Sequence, residues 1–358
     1  MKTLGIVVAF FATLVACSTT GSGGASGTCA DYAQAIRDGV KACGRSKLAP
    51  GSEDAYFADL QKSCELAVNA PGSSVNAALL GQCAPRLREY CGDDDACEDL
   101  FQDARGTLAE GAACESDYQC ASGVCSTKAD VTQDGSRCGT CVRPVAIGEA
   151  CPDHGCPVNA TCLSQSSTSS PSLSKCVPVR KVGEGQACSA SLETSGTFPA
   201  EIVACDFPFE CVRESATAGS QGVCRGLAIE GDACGQAGGG RNCKPGLACI
   251  TGRCSQRLAA GDSCETSSAC QSGLACDSTK KCVTITWGAA GAACDDAAKL
   301  CTNGFCNTGT SGTAAGVCVD YLPVGAACDV AKSTEQRCDS FARCVNGSCQ
   351  IEDPAQCK

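Results

Sequence analysis

Cysteine is the residue that most limits how this chain can fold, because 37 of its 358 residues are cysteine. Aromatic residues make up only 4% of the same chain. Many sulfurs and few large apolar side chains are typical of a scaffold held by disulfides rather than by one large core. Short segments of such a chain bury too little apolar surface to fold alone. The sequence therefore predicts a small disulfide-rich fold.

Metal thiolates are the alternative use of so many sulfurs, and they favour closely spaced C-x2-C pairs. The chain has one such pair, Cys138 and Cys141, and a single histidine, His154. The wider gaps elsewhere favour disulfides, which need an extracytoplasmic compartment. We therefore expect no metal site and no cofactor. The net charge of −11 argues against nucleic acid as a partner.

The N-terminus carries the features of an export signal. Lys2 is followed by an apolar run over residues 4–16, which is the length of a signal-peptide core and too short to span a membrane. Leu14 stands three residues before Cys17, where an ordinary signal peptidase requires a small residue. Ordinary cleavage before Cys17 is therefore disfavoured.

The four residues Leu14-Val15-Ala16-Cys17 resemble the lipobox of bacterial lipoproteins. The resemblance implies that residues 1–16 are a lipoprotein signal peptide and that Cys17 is the lipidated residue. It also implies a membrane partner through the lipid anchor, and Ser18 favours the outer membrane, on its periplasmic or surface side. Residues 17–28, rich in glycine and serine, then form a flexible tether. A plain secreted protein is the alternative.

Residues 29–106 carry apolar residues at helical spacing, and we predict a helical six-cysteine domain there. Thr28 and Ser52 are predicted helix caps, Gly44 is a predicted stop, and Pro85 is expected to interrupt the third helix. A fourth helix is expected at about residues 96–104. We predict a disulfide-stapled helical bundle, whose six cysteines allow fifteen pairings. These cysteines are Cys29, Cys43, Cys64, Cys83, Cys91 and Cys97.

Residues 107–358 repeat a pattern in which a glycine stands three residues before the first of four cysteines. We number the seven four-cysteine segments by these glycines, at positions 111, 148, 185, 231, 261, 291 and 325. Nine or eleven residues separate the fourth cysteine of each segment from the next first cysteine. Successive side chains of a strand point to opposite faces, so two linker lengths that differ by two residues leave the following residues on the same face. We therefore predict a short strand after each fourth cysteine. The expected architecture is a linear array of small β-hairpin modules with long loops, each contacting mainly its neighbours.

Two cysteines are left over when the segments are counted. Segment one takes Cys114, Cys120, Cys125 and Cys141, and segment five takes Cys264, Cys270, Cys276 and Cys282. With six helical cysteines, twenty-eight in the segments and Cys17 lipidated, only Cys138 and Cys357 remain unassigned. They either pair with each other, stay free, or bridge to another chain. Pairing would make every cysteine after Cys17 part of a disulfide.

Residues 114–125 resemble the opening of the N-terminal cysteine-rich region of Dickkopf proteins, written C-x2-D-x2-C-x2-G. The matching positions are Cys114, Asp117, Cys120, Gly123 and Cys125. Segment five matches more loosely because it lacks the aspartate. The resemblance covers about a dozen residues of a segment and implies a disulfide module that engages other proteins.

The remaining motifs favour structural roles. No helix N-terminus, which activates a redox dithiol, is predicted at the Cys138 and Cys141 pair. Asp153 and His154 are adjacent, so their side chains diverge and the aspartate is not placed to orient the histidine as a general base. The acidic run 92–99 lacks the spacing of a calcium loop and suits the start of a helix. The glycine-rich residues 235–246 lack the ending of a phosphate loop. We expect no catalytic site.

The sequence thus predicts a lipid-anchored cell-envelope protein whose disulfide-rich array is a protein-binding or structural stalk module with an unidentified protein ligand. The alternative is a disulfide-rich protease inhibitor or effector-like secreted protein, which would present the loop at residues 189–204 to a protease. An enzyme is disfavoured because no catalytic constellation is visible.

Overall fold

The computed structural model describes residues 27–43, 49, 51–92, 95–126, 138–151, 155–165, 173–189, 198–213, 221–235, 239–295, 298–308, 316–332, 337–339, 341–351 and 353–357. Within these residues the N-terminal part is α-helical, and the remainder consists of short strands, turns, loops and three-residue 3-10 helices. The helices are α1 Cys29–Ala42, α2 Glu53–Asn69, α3 Ala77–Glu89 and α4 Asp95–Asp103.

Helix α1 begins where its cap residue predicts. Thr28 Oγ1 accepts the Asp31 N–H, and the Asp31 carboxylate accepts the Thr28 N–H, which is a complete capping box. Ile36 is buried on the predicted face of α1. Gly39 brings α1 close to α3, since a Cβ there would lie 2.3 Å from the Leu87 carbonyl oxygen. The small side chain at this crossing therefore sets how closely the two helices pack.

Two expectations about the next helices are wrong in detail. Ser52 stands before α2, but its hydroxyl donates to the Ala49 carbonyl at 2.8 Å and caps no helical N–H. Pro85 lies inside α3 without interrupting it. Burial of Leu80, Cys83 and Leu87 compensates for the one hydrogen bond that proline removes. Gly44, the predicted stop of α1, lies outside the described residues.

The described part of residues 107–358 forms small sheets of two or three strands. The first strands are β1 Ala113–Cys114, β2 Cys125–Ser126, β3 Gly139–Cys141, β4 Ala160–Gln165, β5 Leu173–Val182, β6 Ala187–Cys188 and β7 Ile202–Cys205. The next are β8 Glu210–Arg213, β9 Gly222–Arg225, β10 Leu247–Ile250, β11 Arg253–Gln256, β12 Leu274–Cys276, β13 Cys282–Thr284 and β14 Thr286–Gly288. The last are β15 Ala293–Cys294, β16 Lys299–Cys301, β17 Gly304–Asn307, β18 Gly316–Asp320, β19 Ala342–Val345 and β20 Ser348–Ile351.

The predicted strand is present at each fourth cysteine: it includes that cysteine, and in segments two to seven it continues for one to six residues beyond it. In segment five, β12 and β13 pair antiparallel with Cys276 opposite Cys282. In segment one the strand β3 ends at Cys141. The third and fourth cysteines thus share one antiparallel pair, and the hairpin places their side chains on the same face.

The spacing between segments follows from how each linker joins the next segment. The residue three before a start glycine pairs in parallel with the second cysteine that follows, as Leu258 does with Cys270. The two eleven-residue linkers extend this contact into ladders, β5 with β7 and β14 with β16. The nine-residue linkers that follow segments three, four and six make single bridges at the same place. The two extra residues of the longer linkers therefore lengthen the pairing between linker and next segment, and the linker side chains still point to the same faces of the strand.

Two segments pack on the helices in addition to contacting their neighbours. Phe207 of segment three lies 4.7 Å from the Tyr90 ring, and the Arg86 guanidinium lies over it. Phe341 of segment seven lies 5.0 Å from the Tyr56 ring of α2. Aromatic contacts bury apolar area that neither partner can bury within its own small segment, so they compensate for small segment cores.

Segment one is fixed to the helical part by a buried glutamine. Gln119 is 1% exposed, and its Nε2 donates to the Pro71 carbonyl at 3.0 Å. Its Oε1 accepts the N–H groups of Glu115 and Ser116. Each side-chain polar atom of a buried amide thus has a partner, which makes this junction specific.

Candidate functional site

The lipobox-like residues 14–17 lie outside the described residues, as do the predicted signal peptide and most of the predicted tether. The described chain begins at Gly27, directly before the Thr28 cap of α1. Among the described residues, no helix combines the length and the apolar character needed to cross a membrane.

All six cysteines of the helical region are in disulfides. The pairs are Cys29–Cys64, Cys43–Cys91 and Cys83–Cys97. The first joins α1 to α2, and the third joins α3 to α4. These bridges cross-link every helix to at least one other part of the helical region.

The four cysteines of each segment pair in one pattern, first with third and second with fourth. Segment one has Cys114–Cys125 and Cys120–Cys141, and segment five has Cys264–Cys276 and Cys270–Cys282. The other segments have Cys151–Cys162, Cys156–Cys176, Cys188–Cys211, Cys205–Cys224, Cys234–Cys249, Cys243–Cys254, Cys294–Cys306, Cys301–Cys318, Cys328–Cys344 and Cys338–Cys349. The crossed bridges of so short a segment supply much of its small buried core.

The two bridges of a segment bring three sulfurs close together. Cys264, Cys270 and Cys282 are buried, and their Sγ atoms lie within 4.8 Å of one another. A divalent metal would need deprotonated thiolates, whereas these sulfurs are all in disulfides. In this oxidation state the cluster is the core of the segment and offers no thiolate ligand.

The start glycine of every segment forms the same turn. Gly261 has φ +89° and its N–H donates to the Cys282 carbonyl at 2.8 Å. The Cys282 N–H in turn donates to the Asp262 carbonyl at 3.0 Å. The start glycines of the other six segments also have positive φ and donate to their own fourth cysteine at 2.7–2.9 Å. This geometry explains why glycine recurs there, because other residues rarely adopt it.

The aspartate in the Dickkopf-like motif has a local structural role. Asp117 Oδ1 accepts the Cys125 N–H at 2.6 Å. Ser267 occupies the corresponding position of segment five, and its Oγ accepts the Cys276 N–H at 3.0 Å. The segment without the aspartate thus makes the same contact with a hydroxyl, as side chains in capping positions do.

The two unassigned cysteines form a bridge with each other. Cys138 in segment one pairs with Cys357 near the C-terminus, at a sequence separation of 219. Cys141 is committed to Cys120, so the C-x2-C pair does not form a dithiol in this state. Residues 139–141 are a strand and not the start of a helix.

Other residues singled out in the sequence fall partly or wholly outside the described residues. His154 lies in the undescribed range 152–154, and half of the loop 189–204 lies in the undescribed range 190–197. Residues 93–94 of the acidic run lie outside the described residues, and residues 95–99 of the run belong to α4. Residues 236–238 of the glycine-rich run also lie outside the described residues. None of these motifs gains a ligand-binding geometry from the described residues.

Burial changes the acidity of two groups where segments meet the helices. Burial raises the pKa of the Asp59 carboxyl in α2, and the Asp339 charge of segment seven raises it further. Burial likewise raises the pKa of Tyr90, with a further contribution from Glu89. Both groups mark contacts between distant parts of the chain.

A groove lies where segments four and five meet, and nothing in the sequence patterns predicted it. Its volume is about 490 Å³. Its walls include Leu247 of β10, Leu274 of β12 and Arg257 of the linker. Concave sites of this size at the junction of two structural units are typical of ligand-binding sites.

Comparison with known proteins finds no match of this chain to a protein family, to a curated protein or to a solved structure. The function is therefore inferred from the residues themselves and from their geometry.

Proposed function

We propose that this protein is a lipid-anchored component of the cell envelope, attached through Cys17, whose disulfide-rich part is a protein-binding module outside the cytoplasm. One observation carries the proposal. Eighteen disulfides account for thirty-six of the 37 cysteines, and the one left over is the cysteine of the lipobox-like Leu14-Val15-Ala16-Cys17. Disulfides at this density require an oxidising compartment, and export followed by lipidation supplies both the compartment and a use for the last sulfur.

The seven segments are, in this proposal, repeated modules of one array that follows a small helical bundle. The support is that each has the same glycine turn, the same crossed disulfides and the same contact between linker and second cysteine. Each module is too small to hold a core without its bridges. Arrays of small repeated modules have an extended surface that is available for binding.

A binding module is favoured over a stalk by the contacts between distant segments. A stalk separates its two ends, whereas here Cys357 is bridged to Cys138 in the first segment. Phe207 and Phe341 also hold segments three and seven against the helices. These contacts fix the modules relative to each other, which preorganises a binding surface.

The anchor is tested by fractionating cells that express the wild-type protein, the Cys17→Ala variant, or the wild type in the presence of globomycin, which inhibits the lipoprotein signal peptidase. We expect the wild type in the outer-membrane fraction. Cys17→Ala should become soluble or remain an unprocessed precursor, and globomycin should cause the precursor to accumulate.

The matched control is the double variant Cys138→Ala/Cys357→Ala, which removes two cysteines and leaves the signal intact. It should stay with the membrane. If Cys17→Ala fractionates like the wild type, the anchor is refuted. If the double variant is also lost from the membrane, the Cys17 effect is a folding defect and not lipidation.

A further inference from the structure

The bridge between Cys138 and Cys357 differs from most of the described bridges in its exposure. Both of its cysteines are partly exposed. Every other described bridge contains at least one buried cysteine, with the exception of Cys328–Cys344 in segment seven. Thiol–disulfide exchange begins when an external thiolate reaches one of the two sulfurs, so exposed bridges are the labile ones. In these two bridges neither cysteine is protected by burial.

The two exposed bridges differ in what holds their cysteines together after reduction. Cys344 lies in the hairpin of β19 and β20, opposite Cys349, which belongs to the second bridge of that segment. Cys138 and Cys357 are 219 residues apart, and in the described part of the chain no strand pairing includes either of them. Bringing the ends of a long loop together costs conformational entropy. Once reduced, the bridge between Cys138 and Cys357 is therefore the slower of the two to re-form.

This bridge closes a contact between the C-terminal part of the chain and α2. Residues 354–356 form a short 3-10 helix that lies beside α2, and its first residue is buried. Phe341 of segment seven packs on Tyr56 of α2, with 5.0 Å between the ring centroids. At the other end of the bridge, segment one is fixed to the helical part through Gln119. The bridge thus fastens the C-terminal part to a segment that is itself held on the helices.

Charge opposes the contact that the bridge closes. Burial raises the pKa of the Asp59 carboxyl in α2, and the nearby Asp339 charge of segment seven raises it further. Lys62 acts in the opposite direction with a smaller effect. Two carboxylates that are both ionised repel each other across this contact. A covalent link therefore counteracts a repulsion between α2 and segment seven.

We propose that the Cys138–Cys357 bridge is a redox latch, which a dithiol protein outside the cytoplasm opens while the other seventeen bridges stay oxidised. A thiolate of the reductant attacks one sulfur of the bridge, and the other cysteine leaves as a thiolate that takes up a proton. The second thiol of the reductant loses its proton and attacks the mixed disulfide. The protein then has two thiols and the reductant has become a disulfide, a transfer of two electrons.

Opening the latch releases segment seven and the C-terminal residues from α2. The face of α2 that carries Tyr56 then becomes accessible, and the modules lose one of the links that fix their arrangement. The inference rests on the proposed location outside the cytoplasm and on the proposed binding function, and it adds a way to regulate that function. Reduction and reoxidation would switch the same protein between a closed and an open arrangement.

The latch is tested by stepwise reduction of the purified, fully oxidised protein with dithiothreitol. Samples are quenched with iodoacetamide at timed intervals, and mass spectrometry identifies each alkylated cysteine. We expect Cys138 and Cys357 to be alkylated together, at least about tenfold faster than the cysteines of any other bridge. Cys328–Cys344 is the internal control, because it is also partly exposed but lies in a segment that a second bridge holds.

Hydrogen exchange on the selectively reduced protein tests what the bridge holds. Peptides of α2 that contain Tyr56 should exchange at least about threefold faster than in the oxidised protein, because the packing of segment seven is lost. The matched control is Cys138→Ala/Cys357→Ala. It should show the faster exchange before any reductant is added, and the same dose of dithiothreitol should change it no further.

The latch is refuted if another bridge, including Cys328–Cys344, is reduced before or together with Cys138–Cys357. It is also refuted if selective reduction leaves exchange in α2 unchanged, because the bridge would then hold no contact. A double variant that still responds to dithiothreitol as the wild type does would assign the response to a different bridge. These assays use purified protein and no membrane fraction, so their failure is distinguishable from failure of the anchor.

Discussion

The positive φ of the glycine that starts each segment predicts how much stability the segment loses when that glycine is replaced by alanine. Gly261 is the position at which we test this prediction. Its φ is +89°, and a Cβ built there meets no atom within 4 Å. Alanine at this position would therefore be strained by backbone conformation and not by a steric clash. Left-handed backbone disfavours an L-residue by about 1–2 kcal/mol, and restriction of the unfolded chain offsets about 0.4–1 kcal/mol of that.

Gly261→Ala should lower the free energy of local opening of segment five by about 1 kcal/mol. This corresponds to about a fivefold increase in the equilibrium constant for opening. Global denaturation is a poor assay, because a chain of many units does not unfold in a two-state manner. Hydrogen exchange read by mass spectrometry resolves single segments. Peptides that contain Cys282, whose N–H bonds to the Asp262 carbonyl, should exchange faster in the variant.

The control is Gly226→Ala, at another glycine with open space around its Cβ position but without positive φ. It should leave exchange in its own segment unchanged or slow it. Gly261→Asn should fall between wild type and alanine, because asparagine tolerates positive φ better. The reasoning is refuted if Gly261→Ala exchanges like the wild type, or if Gly226→Ala is equally harmful.

Three further predictions concern contacts outside the turns. Asp117→Ala should lose about 1 kcal/mol of local stability, seen as faster exchange in segment one, whereas Asp117→Ser should keep most of it. Cys138→Ala/Cys357→Ala should retain the other seventeen bridges and show a larger radius of gyration by small-angle X-ray scattering, because the C-terminus is released. Asp59 has a raised pKa in the folded protein, so its protonation stabilises the contact of α2 with segment seven. This contribution is present below the ordinary pKa near 3.8 and is lost as pH rises through the raised value, so Asp59→Asn should slow exchange in α2 at about pH 7 and flatten its pH dependence.

Contrary results are equally definite for these three changes. Serine and alanine at position 117 that behave alike would remove the hydrogen-bonding role of Asp117. An unchanged radius of gyration in the double variant would mean that side-chain packing alone holds the C-terminus. An Asp59→Asn variant whose exchange still follows the wild-type pH dependence would show that another group controls the α2 contact.

Local features were predictable from the sequence because they depend on residues close together in the chain. The Thr28 cap and the buried face of α1 around Ile36 follow from helical periodicity and are observed. The disulfide-rich character follows from cysteine content and is confirmed. The strands at the fourth cysteines were expected from linker spacing, although they begin at or before the cysteine itself.

Other features depend on information that a pattern of residues does not contain. Four cysteines allow three pairings, and spacing alone does not select among them. The role that Ser267 shares with Asp117 is hidden because a hydroxyl and a carboxylate look different in sequence yet accept the same N–H. The placement of Phe207 and Phe341 on the helices depends on how distant segments are arranged in space. The groove arises for the same reason, from the packing of two segments.

The most direct test of the account is to map the disulfides of the purified protein by mass spectrometry under non-reducing conditions. The account predicts that the first cysteine pairs with the third and the second with the fourth in segment five, giving Cys264–Cys276 and Cys270–Cys282. It also predicts a Cys138–Cys357 bridge and no free thiol. Bridges between first and second cysteines, or free thiols at Cys138 and Cys357, would contradict it.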